Sequence, residues 1–262
     1  MNNELYWRLG FFISILAIMM LLERLKPARK SLVAAKHRWF ANFSLVFISS
    51  VTARLTVPIG LTALAIYNTE QGFGLFNLIQ LPLWLTILLS VLILDMLIYW
   101  QHRLFHRVPL LWRLHKVHHA DNHIDASTGL RFHPLEIVLS ILIKLIAVTA
   151  LGAPAIAILI FEIALNGFAL FNHANIRLPK KLEQVLRFIV ITQQLHRIHH
   201  SQRPDETNSN YGFSVIWWDK LFGSYKTCAT EDDTNLKIGL RQYPANKKNA
   251  SIITLLLMPF KV

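Results

Sequence analysis

The sequence predicts an all-α integral membrane protein: transmembrane helical hairpins with a cytoplasmic cap holding a dinuclear histidine metal site. Three observations predict it. Hydrophobic residues make up 53% of the 262 positions and charged residues only 16%, whereas a soluble domain runs nearer a quarter charged. Long apolar runs recur over the first two thirds of the chain. Finally, eleven of the twelve histidines lie between positions 102 and 200, and HKVHH at 115–119 repeats its pattern as HRIHH at 196–200.

The first apolar run, Leu9–Leu22, follows a nearly uncharged start and ends at ERLKPARK. A secretory signal has the opposite charge order and a small-residue cleavage site, so this run reads as an uncleaved anchor. The run Trp39–Tyr67 exceeds the ~20 residues of one crossing and is interrupted by Arg54 and Pro58, which predicts one tilted or kinked pass. Leu81–Trp100 is the third pass. Leu135–Phe171 breaks at Gly152–Pro154 and reads as a helical hairpin. The last apolar stretch, SIITLLLMPF, is too short to cross and is expected on the membrane surface. The chain divides into N-terminal membrane helices (1–80), a histidine-bearing region (81–228) and a membrane-peripheral tail (229–262).

Lysine and arginine set the orientation. Segments 68–80 and 150–155 carry none, while 23–38 carries Arg24, Lys26, Arg29, Lys30, Lys36 and Arg38. Five passes starting outside place every basic segment, and both pentapeptides, on the cytoplasmic face. A bacterial inner membrane fits this better than endoplasmic reticulum. The net charge of +12 flanks apolar runs instead of forming a basic face with interleaved aromatics, which argues against nucleic acid. The single cysteine, Cys228, excludes an internal disulfide and a cysteine-rich zinc module.

The histidines carry the chemistry. HRLFH puts His102 and His106 one turn apart on a helix face. In each pentapeptide the first histidine has partners three and four residues on, so His115 can join His118 or His119. Adjacent histidines diverge by about 100° on a helix, so His118 and His119, or His199 and His200, can serve two neighbouring ions. His133 and His173 flank the hairpin and emerge on the same side. His37 and His123 read as structural. Imidazole suits zinc, copper, iron and nickel alike. Two rival readings fit less well: a membrane zinc hydrolase wants a general-base carboxylate as in HExxH, which neither HxxHH supplies, and a non-enzymatic haem- or metal-binding protein wants histidines facing each other inside the apolar passes, whereas these cluster at the membrane edge.

DMLIYWQHRLFHRVPLLWRLHKVHH, RFHPLE, NHANI and LHRIHHS…NYGFSVIWWDKLFGSY together resemble the membrane fatty acid hydroxylase and sterol desaturase superfamily over roughly 90–225. The resemblance implies two iron ions, O2 and external electrons used to hydroxylate or desaturate a lipid, with zinc able to occupy the same imidazoles. It implicates His102, His106, His115, His118, His119, His173, His196, His199 and His200, with His133 as a tenth. Some members carry a further HxxxH. Here Arg177 stands four places after His173, so His133 or Asn175 would have to replace that ligand. No haem-binding donor domain, GxGxxG or cysteine-ligated cluster is recognisable in the sequence, so a separate electron-donor protein is implied.

Several polar residues fall within or beside the apolar runs. Asp95, seven residues before His102, is expected to orient a ligand imidazole, since an intramembrane acid is functional by default. Glu162, Asn166 and His173 form a polar stripe. Arg54 and Lys144 either snorkel or line the substrate cavity. Arg103, Arg107 and Arg113 stand around the expected mouth, where they hold an anionic headgroup or snorkel. The aromatic run Val215–Tyr225 is expected to cap the site.

Overall fold

A computed structural model describes residues 3–31, 33–79 and 81–261. Thirteen α-helices appear among them: α1 Glu4–Leu25, α2 Ala35–Thr56, α3 Leu61–Glu70, α4 Leu75–Leu78, α5 Leu83–Arg107, α6 Pro109–His119, α7 Pro134–Leu151, α8 Ala155–His173, α9 Lys180–Leu186, α10 Gln193–His199, α11 Pro204–Thr207, α12 Trp217–Leu221 and α13 Ile252–Leu257. No strand forms among the described residues, only isolated bridges.

Five segments are long and apolar enough to cross a membrane: Glu4–Leu25, Ala35–Leu78, Leu83–Arg107, Pro134–Leu151 and Ala155–His173. Between Arg8 and Glu23 α1 is apolar on all sides, and none of its residues is buried against protein. Such a surface is stable only against lipid. α1 leans on α8 and α2 on α7, while α5 packs between α8 and α6. Leu94 and Ile98 of α5 meet Leu61 and Ala65 of α3, Val148 of α7 and Ile158 and Phe161 of α8 in the central core.

The second pass, within the single apolar segment Ala35–Leu78, breaks beside Pro58 as expected. The chain leaves helix at Val57, and α3 starts afresh at Leu61 and packs on α7 and α8. Pro58 lacks an N–H and disfavours helical backbone in the residue before it. Arg54 donates to the Pro58 carbonyl at 2.9 Å and so closes the helix end instead of lining a cavity. The α7–α8 hairpin turns where expected, on Gly152 in the left-handed conformation (φ 63°). Gly74 packs backbone to backbone on that turn.

Beyond α5 the chain reverses at once. Val108 is extended and Pro109 opens α6 at its first turn, the position where a missing N–H costs nothing. The segment after α6 is tied to α2 by Arg38, which donates to Asp121 (2.7 and 2.8 Å), to Asp125 (2.6 Å) and to the His123 carbonyl. Burial alone would raise the Asp121 pKa, but Arg38 and Arg131 outweigh it and hold it well below the usual carboxylate range. His123 belongs to this scaffold through Asn175 (3.3 Å), as its structural reading expects. The tail does not cross: Leu255 and Met258 insert among Ala41, Leu45 and Val117, while Ile253, Leu257 and Phe260 stay exposed.

Candidate metal centre

α5, α6, α8 and α10 converge at one end of the bundle, and nine imidazoles meet there in two groups. His102, His106, His115, His119 and His199 form one; His118, His173, His196 and His200 form the other. Within each group one nitrogen per ring lies within 4.8 Å of all the rest. Two imidazole nitrogens bound to one ion at ~2.0–2.1 Å lie at most ~4.2 Å apart, so only a small contraction is needed. Each double histidine is split. His119 and His199 face one group while His118 and His200 face the other, and His115 joins His119, four residues on.

Hydrogen bonds to the remote ring nitrogens fix four tautomers. The Nδ1 of His102 donates to the Tyr211 carbonyl (2.7 Å), that of His199 to the Ser209 carbonyl (2.8 Å) and that of His173 to the Ala169 carbonyl (2.7 Å). The Nδ1 of His115 donates to the Glu136 carboxylate at 2.6 Å. A neutral ring that donates from Nδ1 carries a bare lone pair on Nε2. In the five-histidine group every Nε2 is buried and lacks a hydrogen-bond partner among the described residues. Buried polar atoms are almost always paired. Five convergent orphans are what a cation satisfies.

The four-histidine group reaches the same conclusion by another route. Its Nε2 atoms approach in a chain, His118 to His173 at 3.1 Å, His173 to His196 at 2.9 Å and His196 to His200 at 3.2 Å. Because His173 is an acceptor there, His196 must donate to it and would also have to donate to, or accept from, His200. One ring nitrogen cannot satisfy both. A shared ion removes the conflict. Burial, reinforced by neighbouring imidazoles, holds His118, His119, His196 and His200 well below the usual histidine range, and burial pushes His115 down to about 3. Neutral imidazole is the ligating form.

Several expectations need correction. His133 lies outside both groups: it caps α7, accepting from the Leu135 N–H on Nδ1 (3.2 Å), while Nε2 donates to the Leu256 carbonyl (3.2 Å). Pro134 starts the helix, so the residue before it becomes the cap. Asn175 is also occupied, holding Arg29 through both ends of its amide. Asp95 orients no imidazole; it accepts from Trp218 Nε1 at 2.8 Å. Seven residues are ~10 Å along a helix, which leaves His102 out of its reach. The stripe Glu162–Asn166–His173 is not one network either, because Glu162 pairs with Arg8 and Asn166 bonds to the Glu162 carbonyl. Of the mouth arginines, Arg103 and Arg113 are spent on the carbonyls of Phe222 and Pro259.

Sequence reasoning overlooked Glu136. Its Oε1 holds His115 and its Oε2 is buried without a partner. The signal was the carboxylate three residues past His133, on a helix that begins at the metal end. A cavity of about 280 Å³ extends from His102 and His115 between α2, α5, α7 and α8, walled by Phe105, Phe132, Ile137, Leu165 and Phe213. Phe12 of α1 and Val46 of α2 line its flank.

The profile of the fatty acid hydroxylase family matches residues 87–224, the stretch that contains all nine converging histidines. The chain belongs to the fatty acid hydroxylase family. Among named relatives, it is 27% identical to an ornithine lipid hydroxylase of Rhizobium tropici over 242 residues, 90% of this chain and 72% of that one. It is 32% identical to an alkylglycerol monooxygenase of Danio rerio over 154 residues, 57% of this chain but only 33% of the relative. A fatty acid hydroxylase of a Lecanicillium species is 30% identical over 167 residues, 58% of this chain and 44% of that protein. These relatives are hydroxylases and monooxygenases, so this family member is an oxidoreductase. No solved structure matches the chain significantly.

Proposed function

We propose that this fatty acid hydroxylase family member is a membrane di-iron oxygenase that uses O2 and external electrons to hydroxylate or desaturate a lipid. The observation that carries the reading is the five-histidine group opening onto an apolar-walled cavity between transmembrane helices. His102, His106, His115, His119 and His199 hold one ion, and His118, His173, His196 and His200 the other. Two iron ions so held supply the redox chemistry needed to activate O2 and attack an unactivated C–H bond; zinc, which has no redox chemistry, can occupy the same nitrogens without supporting turnover.

The protein's own contribution is placement and exclusion. Phe105, Phe132 and Phe213 wall the cavity beside His102 and His115 and keep bulk water from the reacting carbon. Phe12 and Val46 mark the flank between α1 and α2, which lean on different helices, and through which a lipid enters sideways. Electrons come from a separate donor protein. The outer side of α10 borders a polar surface groove through Gln193 and Gln194, one helix width, ~10 Å, from the imidazoles it carries.

Protein loaded with Fe(II), given O2, a reductant and total lipid extract, should change one lipid class by about +16 or −2 mass units, the addition of oxygen or loss of two hydrogens that this chemistry gives. His118→Ala and His200→Ala should abolish that change while leaving membrane insertion intact. Turnover retained in either variant, or turnover by the zinc form, overturns the reading.

A further inference from the structure

The cavity ends in charge. From the metal end α7 contributes Glu136, Ile137, Ser140 and Lys144 to its wall, and α8 contributes Ala169, Asn166, Leu165 and Glu162. These fall at three- and four-residue steps, one face of each helix. Eight residues separate Lys144 from Glu136, ~12 Å along α7, and eleven separate Glu162 from His173, ~16 Å along α8. An alkyl tail needs no polar group at that depth, and a terminal methyl would be repelled by one.

The groups there are not equivalent. Glu162 is committed to Arg8, which also holds Glu4 (2.7 Å). Lys144 has no carboxylate within ion-pair distance and no hydrogen bond among the described residues. It stands at the eleventh of the eighteen positions of α7, too far from either end to reach water easily by snorkelling. Glu162, already paired with Arg8, attracts Lys144 only from beyond ion-pair distance, and an intramembrane ammonium without a direct partner is costly and faces a cavity or a ligand. One turn away, Ser140 accepts from Gln101 (3.1 Å), so its own hydrogen is free to donate into the same space.

We infer that Lys144, aided by the Ser140 hydroxyl, binds an anionic group of the substrate, a carboxylate or a phosphate, at the far end of the cavity. Lys144 is thus a specificity-determining residue. The inference rests on the lipid-oxygenase reading for the word substrate, and it fixes where that substrate is attacked: ~12 Å along the chain from its acid group, the axial distance from Lys144 to Glu136, and not beside it.

The test is binding by the full chain in neutral-lipid nanodiscs, read from tryptophan fluorescence. Palmitate, hexadecyl phosphate and methyl palmitate are the probes. One charge-assisted hydrogen bond predicts that at least one anion binds about tenfold tighter than the ester, and the stronger anion names the group. Lys144→Met should bring anion and ester together, and Lys144→Arg should keep them apart. Equal binding of all three probes to the unaltered protein, or an anion preference surviving in Lys144→Met, overturns the inference. Because the readout is binding, a protein that shows the preference but oxidises nothing refutes the oxygenase reading alone, and one that oxidises a lipid without the preference refutes this inference alone.

Discussion

At the scale of single residues the centre depends on second atoms. His115 can offer Nε2 only because Glu136 holds its Nδ1 proton, and partners of this kind typically change metal affinity about 10–100-fold. Glu136→Leu should therefore lower bound metal at limiting supply, with the loss confined to the five-histidine group. Glu136→Gln, which keeps an oxygen acceptor, should lose less. Metal-to-protein ratios across a chelator titration check both; equal, complete loss in the two variants would show that Glu136 matters for folding alone. Spacing made the cluster legible, because three histidines on one turn can only diverge or converge. It left His115 free to join either neighbour, and it could not weigh His133 correctly. A histidine before proline reads as a ligand in sequence, yet its backbone position at the start of α7 turned it into a cap.

At the scale of elements, the segment from Ser209 to Tyr225 behaves as a strap whose backbone carbonyls orient His102 and His199. Its anchors are side chains: Asp219 accepts from the Tyr211 and Gly212 N–H groups (2.8 and 2.7 Å), and Asp95 accepts from Trp218. Asp95→Leu should raise amide exchange across 209–225 and reduce turnover while sparing exchange in α7. Unchanged exchange there would mean that the indole contact is dispensable. Gly129 makes a second case. A Cβ there would lie 2.5 Å from the Ala169 carbonyl, the same carbonyl that holds His173. Gly129→Ala should push α8 outward, cost the ~1–3 kcal/mol of an overpacked site and loosen metal in the four-histidine group, visible as a lower unfolding temperature and faster chelation. Hydropathy made the passes and the hairpin legible because lipid demands apolar surface. The break at Pro58 was visible too, but whether α3 continued a crossing or folded onto α7 and α8 was a tertiary choice. No local signal in the strap announced that its backbone would serve the histidines.

For the whole molecule the open quantity is orientation, and the charge distribution makes it testable. Arg24, Lys26, Arg29, Lys36 and Arg38 sit where α1 and α2 meet the histidine end, whereas 68–80 at the opposite end carries no lysine or arginine. Basic segments stay on the cytoplasmic side, so the imidazoles should face the cytosol. The chain supplies its own probe: Cys228 is the single cysteine, lies on the histidine side after α12, and is exposed. A membrane-impermeant maleimide should leave Cys228 unlabelled in intact cells and label it once the membrane is opened. Moving the thiol to the other end, as Glu70→Cys combined with Cys228→Ser, should reverse the result, because Glu70 closes α3 near the α7–α8 turn and is exposed. Labelling of Cys228 in intact cells, with Glu70→Cys protected, would invert the protein in the membrane and place the imidazoles outside.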